Sequence, residues 1–215
     1  VALYADRRDA GRQLGVALRN RLGGEAARLV LGLPRGGVIV AAEVASALSS
    51  PLDVLVVRKL GHPARPELGL GALAETGERV VNRALMRRLG VSDDVLDAVT
   101  IAEQAEVRRQ VARYRGGRSP TEVSGREVVV VDDGLATGYT ALAAAQSVRG
   151  RGAGRLVVSV PVGPPDSTTA LTAVSDDVFC LARPLWLHAV GEAYDVFGHT
   201  DDVEVVTALA RVRTE

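Results

Sequence analysis

Apolar positions near the start of the chain recur at helical spacing. Ala10, Leu14, Ala17, Leu18 and Leu22 share one face of a helix over Asp6–Leu22, which Asp6 can cap and Gly23-Gly24 ends. Arg28–Leu33 is a short apolar run of strand type, and Pro34-Arg35-Gly36-Gly37 breaks it. An Ala-rich helix is predicted over Val38–Leu48 and a second strand over Asp53–Val57. This order opens a right-handed parallel unit.

The interval 59–126 has a different texture. It is far longer than the roughly 10–12 residues a crossover needs. It reads as a Gly/Pro-rich loop (Gly61 to Gly71), a hairpin pairing Leu70–Ala74 with Arg79–Asn82, and a helix over Asp93–Arg113 capped by Ser92. We take it as an insertion folding over the end of a sheet. The alternation then resumes, with strands over Glu127–Val131, Arg155–Val160 and Asp177–Leu181, and helices over Thr140–Val148, Asp166–Val174 and Val203–Arg211. The fold class is α/β, doubly wound with a parallel core, in one domain spanning 1–215.

Composition narrows the function classes. The 215 residues carry 26 Lys+Arg and 26 Asp+Glu, so the net charge is zero. That balance, with seven aromatic residues (Phe 2, Trp 1, Tyr 4), counts against a nucleic-acid partner. The single cysteine, Cys180, follows Phe179 in an apolar run and reads as a small buried hydrophobe. No apolar run reaches the roughly 20 residues a membrane span requires. The N-terminal stretch has no apolar signal core, and a cytoplasmic protein is expected.

The chemistry concentrates in Val128–Thr140, VVVVDDGLATGYT. Four valines predict a strand buried on both faces, ending in Asp132 and Asp133. Gly134, Leu135, Ala136, Thr137, Gly138, Tyr139 and Thr140 then lead into a helix. A loop at the carboxyl end of a central strand is where α/β sheets bind ligands, and helix N-terminal N–H groups suit phosphate. The two acids suit a sugar diol or a hydrated Mg²⁺. Together these features propose a sugar phosphate as ligand. The loop lacks the Gly-Lys-Ser/Thr of a Walker A motif and is not GxGxxG, and a helix cap alone is the plainer alternative.

This stretch resembles the phosphoribosyl pyrophosphate (PRPP) signature of type I phosphoribosyltransferases. Leu33-Pro34-Arg35-Gly36-Gly37 resembles the family's pyrophosphate loop. Val57-Arg58-Lys59 resembles the basic pair ending the second strand in orotate and adenine enzymes. His188–Asp195 looks like the late hood segment that contacts the base in purine enzymes. The resemblance spans about residues 5–200. The whole chain looks most like a bacterial group whose acceptor is generally unassigned. The resemblance implies the type I fold with an inserted cover over about 60–126 and a hood over about 183–199. It also implies Mg²⁺-dependent transfer of ribose 5-phosphate from PRPP to a nucleobase-like or amine acceptor, with release of pyrophosphate.

Carried over by residue, the resemblance puts Asp132 and Asp133 on the ribose hydroxyls, near an Mg²⁺ held mainly by PRPP. Gly134–Thr140 would bind the 5′-phosphate. Pro34, Arg35, Gly36 and Gly37 would bind pyrophosphate, with a non-proline cis peptide expected at Pro34–Arg35. Arg58 and Lys59 would add positive charge at the diphosphate. Because an oxocarbenium-like ribose must be shielded from water, residues 60–78 are the expected mobile cover, hinged at Gly61, Gly69, Gly71 and Gly77. Within it, Glu67 and Glu75 are either acceptor contacts or solvated acids. If the hood is a strand, Trp186 and His188 lie on one face and form acceptor-pocket walls; otherwise they are a packed Trp and a surface His. His62 and His199 receive no role. Arg108-Arg109 and Arg113–Arg118 read as a solvated basic face, or as an oligomer or nucleic-acid contact.

Two departures matter. Ala136 stands where hypoxanthine-guanine enzymes carry a proton-transferring Asp, and their hood Lys is missing near Ser159–Val162. Both argue against standard 6-oxopurine salvage. The family is commonly dimeric, which implies a homodimer. The alternative function is a non-catalytic regulator binding PRPP or a nucleotide, since some family members bind RNA. A sugar-phosphate hydrolase lacks support, as no GxSxG or His metal cluster is present.

Overall fold

The computed structural model describes residues 2–23 and 28–213, except the side chains of Glu67, Asp166 and Arg213. Gly24, expected to help end the first helix, lies outside the described residues. Asp6 accepts the Asp9 N–H at 2.8 Å and opens α1 (Arg7–Leu22). The helix ends at Gly23, whose positive φ of 58° lets its N–H return to the Arg19 carbonyl. Then follow β1 (Arg28–Gly32), α2 (Gly36–Ala47) and β2 (Leu52–Val54). The inserted part holds β3 (Val57–His62), β4 (Arg65–Ala74), β5 (Arg79–Val81), α3 (Arg83–Leu89) and α4 (Asp93–Arg115). The chain returns through β6 (Glu127–Val131), α5 (Tyr139–Gly150), β7 (Arg155–Val162), β8 (Asp177–Ala182) and α6 (Asp202–Arg213).

The main sheet is parallel with order β2-β1-β6-β7-β8. Helices cover both faces, so its strands must be apolar on both. The four valines of β6 divide accordingly. Val129 and Val131 pack with residues of α1, α2 and α6, whereas Val128 and Val130 pack with the alanines of α5. In β1, Val30 joins the first group and Leu29 and Leu31 the second.

The second predicted strand divides in two. β2 stops at Val54, and Val57 instead opens a separate antiparallel sheet, β3-β4-β5. Between them the Leu55 N–H still donates to the Gly32 carbonyl and the Val56 carbonyl accepts the Glu75 N–H, while side chains take two further backbone groups. Arg115 donates to the Val54 carbonyl at 2.6 Å, and the Val56 N–H donates to Glu75 at 2.9 Å. The chain therefore leaves the parallel sheet before the basic pair, so Arg58 and Lys59 stand on β3, not at the end of a parallel strand.

The expected Gly61–Gly71 loop is largely ordered strand. β3 and β4 form a hairpin, and the predicted pairing of 70–74 with 79–82 is present as β4-β5. Gly71 serves close strand approach, since a Cβ there would lie 2.1 Å from the Val80 carbonyl oxygen. The cover over 60–78 is thus a small sheet packed between α5 and the α3–α4 layer. The helix predicted over Asp166–Val174 resolves into two 3-10 turns, Pro165–Thr168 and Leu171–Ala173. Ser167, Thr168, Thr172 and Ser175 all turn their hydroxyls onto nearby carbonyls and compete with a continuous helix. Among the described residues, no helix is long and apolar enough to cross a membrane.

Candidate active site

β1 and β6 are parallel neighbours, so the loops after them leave the same sheet edge. The Leu33 N–H donates to the Val131 carbonyl at 2.9 Å and ties the two loops together. The peptide bond Pro34–Arg35 is cis, where one was expected. α2 begins directly after this loop and α5 directly after the acid loop. Neither helix start carries a side-chain cap hydrogen bond. Two helix N-termini thus present N–H groups at one edge, a favourable field for an anion with two phosphate groups.

Glycine is required where the loops meet. A Cβ on Gly36 would sit 2.0 Å from Asp133 Oδ2, and one on Gly37 would sit 2.7 Å from Asp132 Oδ1. The carboxylates therefore lie against the first turn of α2. Asp132 Oδ1 accepts the Asp133 N–H at 2.9 Å, and Arg7 Nε donates to Asp133 Oδ2 at 2.8 Å. Arg7 also donates to the Gly198 carbonyl and lies 3.9 Å over the Phe197 ring.

Beside the acids is a cavity of about 400 Å³. Its lining includes Pro34 from the first loop, Val57, Arg58 and Lys59 from β3, Asp132, Thr140 and Glu103 of α4. Segments far apart in sequence therefore converge on one cleft. Arg58 donates to Glu103 at 2.8 Å across its wall. The phosphoribosyl transferase domain model matches residues 14–194. This chain belongs to that family.

Relatives agree with this assignment. Proteins from two Mycobacterium tuberculosis strains, both named for phosphoribosyl transfer, are 48% identical over 215 residues, covering all of this chain and 48% of theirs. The chain thus spans about half the length of the curated relatives it matches. The crystal structure of a Thermus thermophilus protein superposes with a TM-score of 0.79 at 42% identity, over 97% of this chain and 98% of that one.

The electrostatics of this cleft are unbalanced. Burial, then the neighbouring Asp133 charge, pushes the Asp132 carboxyl well above the usual carboxylate range. Burial also raises Asp133, although Arg7 opposes it. Asp133 has its cation in Arg7, whereas Asp132 faces the cavity, where a cation or a hydroxyl-bearing ligand would settle its charge. Among the described residues, no three His, Cys, Asp or Glu side chains converge to hold a metal ion.

Several expected site residues stand elsewhere. The Arg35 guanidinium does not line the cavity; it reaches Asp202 at 3.0 Å and His199 at 3.0 Å. Glu75 is neither solvated nor in the cleft. It is buried in an ion pair with Arg115 at 2.7 Å, so Arg115 is likewise not part of a solvated basic face. The Glu67 side chain lies outside the described residues. β8 ends at Ala182, so Trp186 and His188 are on no strand, which removes the shared-face argument, and neither lines the cavity. Trp186 is 45% exposed, which also removes the packed-core alternative, and the His188 side chain is 86% exposed beside Glu192. The hood segment still meets the acid loop, through other residues. Val190 crowds Gly134, and the Tyr194 hydroxyl donates to the Asp133 carbonyl. Burial and the Asp133 charge push the Tyr194 phenol up, which keeps it a donor. Arg7, Glu103 and Asp202 carried no motif signal, and Tyr194 lay within the hood segment without a role of its own. Arg7 stands 126 positions from Asp133, a separation no local pattern reports.

Proposed function

We propose that this chain transfers ribose 5-phosphate from PRPP to a nucleobase-like or amine acceptor and releases pyrophosphate. The carrying observation is the cleft in which Pro34, Arg58, Lys59, Asp132 and Thr140 meet. The Gly134–Thr140 segment, the loop that leads into the α5 N-terminus, takes the 5′-phosphate through backbone N–H groups. Asp132 and Asp133 grip the ribose 2′- and 3′-hydroxyls. The Pro34–Gly37 loop holds the pyrophosphate, and Arg58 and Lys59 face its charge from β3.

The donor's C1–O bond breaks with its electron pair leaving on pyrophosphate. The acceptor lone pair forms the new bond to C1, and the acceptor loses a proton. Positive charge on the ribose ring develops beside Asp132 and Asp133, and negative charge develops beside Arg58 and Lys59. The donor set fits Mg²⁺, which takes one or two carboxylates and keeps phosphate and water oxygens for the rest. When bound, the ion supplies charge neutralisation to the leaving pyrophosphate. The reading includes a cytoplasmic homodimer, as the family resemblance implies.

The test is pyrophosphate release from PRPP and Mg²⁺ against a panel of purines, pyrimidines and amines, with Asp132→Asn/Asp133→Asn as control. Release that needs one acceptor and disappears in the control is the expected result. Failure of PRPP to bind, with or without Mg²⁺, overturns the reading.

A further inference from the structure

Arg35 stands in the loop assigned to pyrophosphate, yet its guanidinium is occupied from the far side. Nε donates to Asp202 Oδ1 at 3.0 Å, and another guanidinium nitrogen lies 3.0 Å from His199 Nε2. Asp202 is the hub of this cluster. Oδ1 also accepts the Tyr114 hydroxyl at 2.7 Å, and Oδ2 accepts from Arg109 at 3.0 Å. Burial works against its charge, but hydrogen bonds from Tyr114, Arg109 and Arg35 hold Asp202 down at about 2, so it is a carboxylate at any working pH.

Asp202 is not needed to start its own helix. The neighbouring Asp201 carboxylate accepts the Val203 and Glu204 N–H groups at 2.8 Å and caps α6. A second carboxylate there, aimed at the one arginine of the pyrophosphate loop, asks for another role. The Arg35 side chain is 32% exposed, so one side of it stays open to solvent and to an incoming anion.

Resting on the PRPP reading above, we propose that Asp202 is a positioning residue that competes with the pyrophosphate group for Arg35. Phosphate oxygens match the guanidinium fork as a carboxylate does and carry more charge. Substrate binding therefore exchanges Asp202 for phosphate, and the α6 N-terminus sets how tightly the loop holds its ligand.

Titration calorimetry with Mg-pyrophosphate and with Mg-PRPP tests this on the full chain. Asp202→Asn should bind pyrophosphate about two- to fivefold more tightly, the range expected when a partly exposed competing ion pair is removed. In an Arg35→Ala background the same substitution should change nothing, which separates release of Arg35 from simple loss of a negative charge. Asp202→Ser, also tolerated in a first helical turn, gives a second reading if the asparagine variant folds poorly. An unchanged or weaker affinity in the Asp202 variants overturns the inference, as does an equal gain without Arg35. Wild type that binds PRPP while the variants show no gain removes this inference alone. Wild type that binds neither probe removes the PRPP reading and this inference with it.

Discussion

At Asp132 two demands oppose each other. On the proposed reading the carboxylate grips a ribose, but burial and Asp133 disfavour its charge in the free protein. Its folded pKa lies above the unfolded value, so the folded state holds the proton longer. The contribution of this carboxyl to stability is therefore fully present below the usual carboxylate range and is lost as pH rises through the folded pKa. Asp132→Asn keeps the oxygen that accepts the Asp133 N–H and removes the charge. The variant should melt with wild type below pH 4. At pH 7 it should melt higher, by about 2–4 °C for each kcal/mol relieved. PRPP binding should be lost at the same time. Scanning calorimetry across pH, paired with a binding titration, checks both. Much of the chemistry at this scale is legible in the sequence: adjacent acids after a valine run, then a glycine-rich turn, name their chemistry from type and spacing. Gly36 and Gly37 read there as turn residues. That they admit the acids of another strand depends on which loops meet.

Among the elements, the break between β2 and β3 decides where the basic pair stands. DVLVV carries the composition of one strand, and nothing in its periodicity marks a division. The division comes from Arg115, at the end of α4, with a side chain 4% exposed. It ties the Val54 carbonyl to Glu75 and lies 3.6 Å from Asp53, whose other oxygen accepts from Thr121. Arg115→Ala leaves two buried carboxylates without their cation and should cost about 3–5 kcal/mol, read as a lower urea midpoint. Because β3 is launched from this knot, PRPP affinity should fall as well. Long periodic elements such as α1 and α4 are recognisable in the sequence because their apolar stripe or cap is local. The 166–174 segment departs from its predicted helix because hydroxyl-to-carbonyl bonds compete with the helix that its apolar residues favour.

For the molecule as a whole, the N-terminal segment and the 190–198 segment are tied together beside the acid loop. The Leu3 and Tyr4 N–H groups donate to the Ala193 carbonyl, and the Asp195 and Val196 N–H groups return to Tyr4 and Ala5. The Tyr4 hydroxyl reaches the Pro161 carbonyl at 2.8 Å, and Arg7 spans from Asp133 to Gly198. Arg7→Ala should loosen this tie. Hydrogen exchange over residues 190–200 should quicken, and PRPP binding should weaken about tenfold, the scale of a hydrogen bond to a charged group. Arg7→Lys should recover part of the binding, because it keeps the charge but not the guanidinium geometry.

By itself, the sequence determined the α/β class, the order of the parallel strands along the chain and the residue types of the glycine-rich and acid loops. Each of these rests on local chemistry: periodicity, caps, and a glycine-rich turn after a buried strand. Only the tertiary structure decided that Arg58 and Lys59 reach the cleft from an antiparallel sheet and that Glu75 is buried. It also decided that Arg35 is held by Asp202 and that Arg7 sits on Asp133. Those outcomes belong to ion pairs between residues distant in sequence, whose partners are selected by packing and burial and leave no periodic trace in the chain.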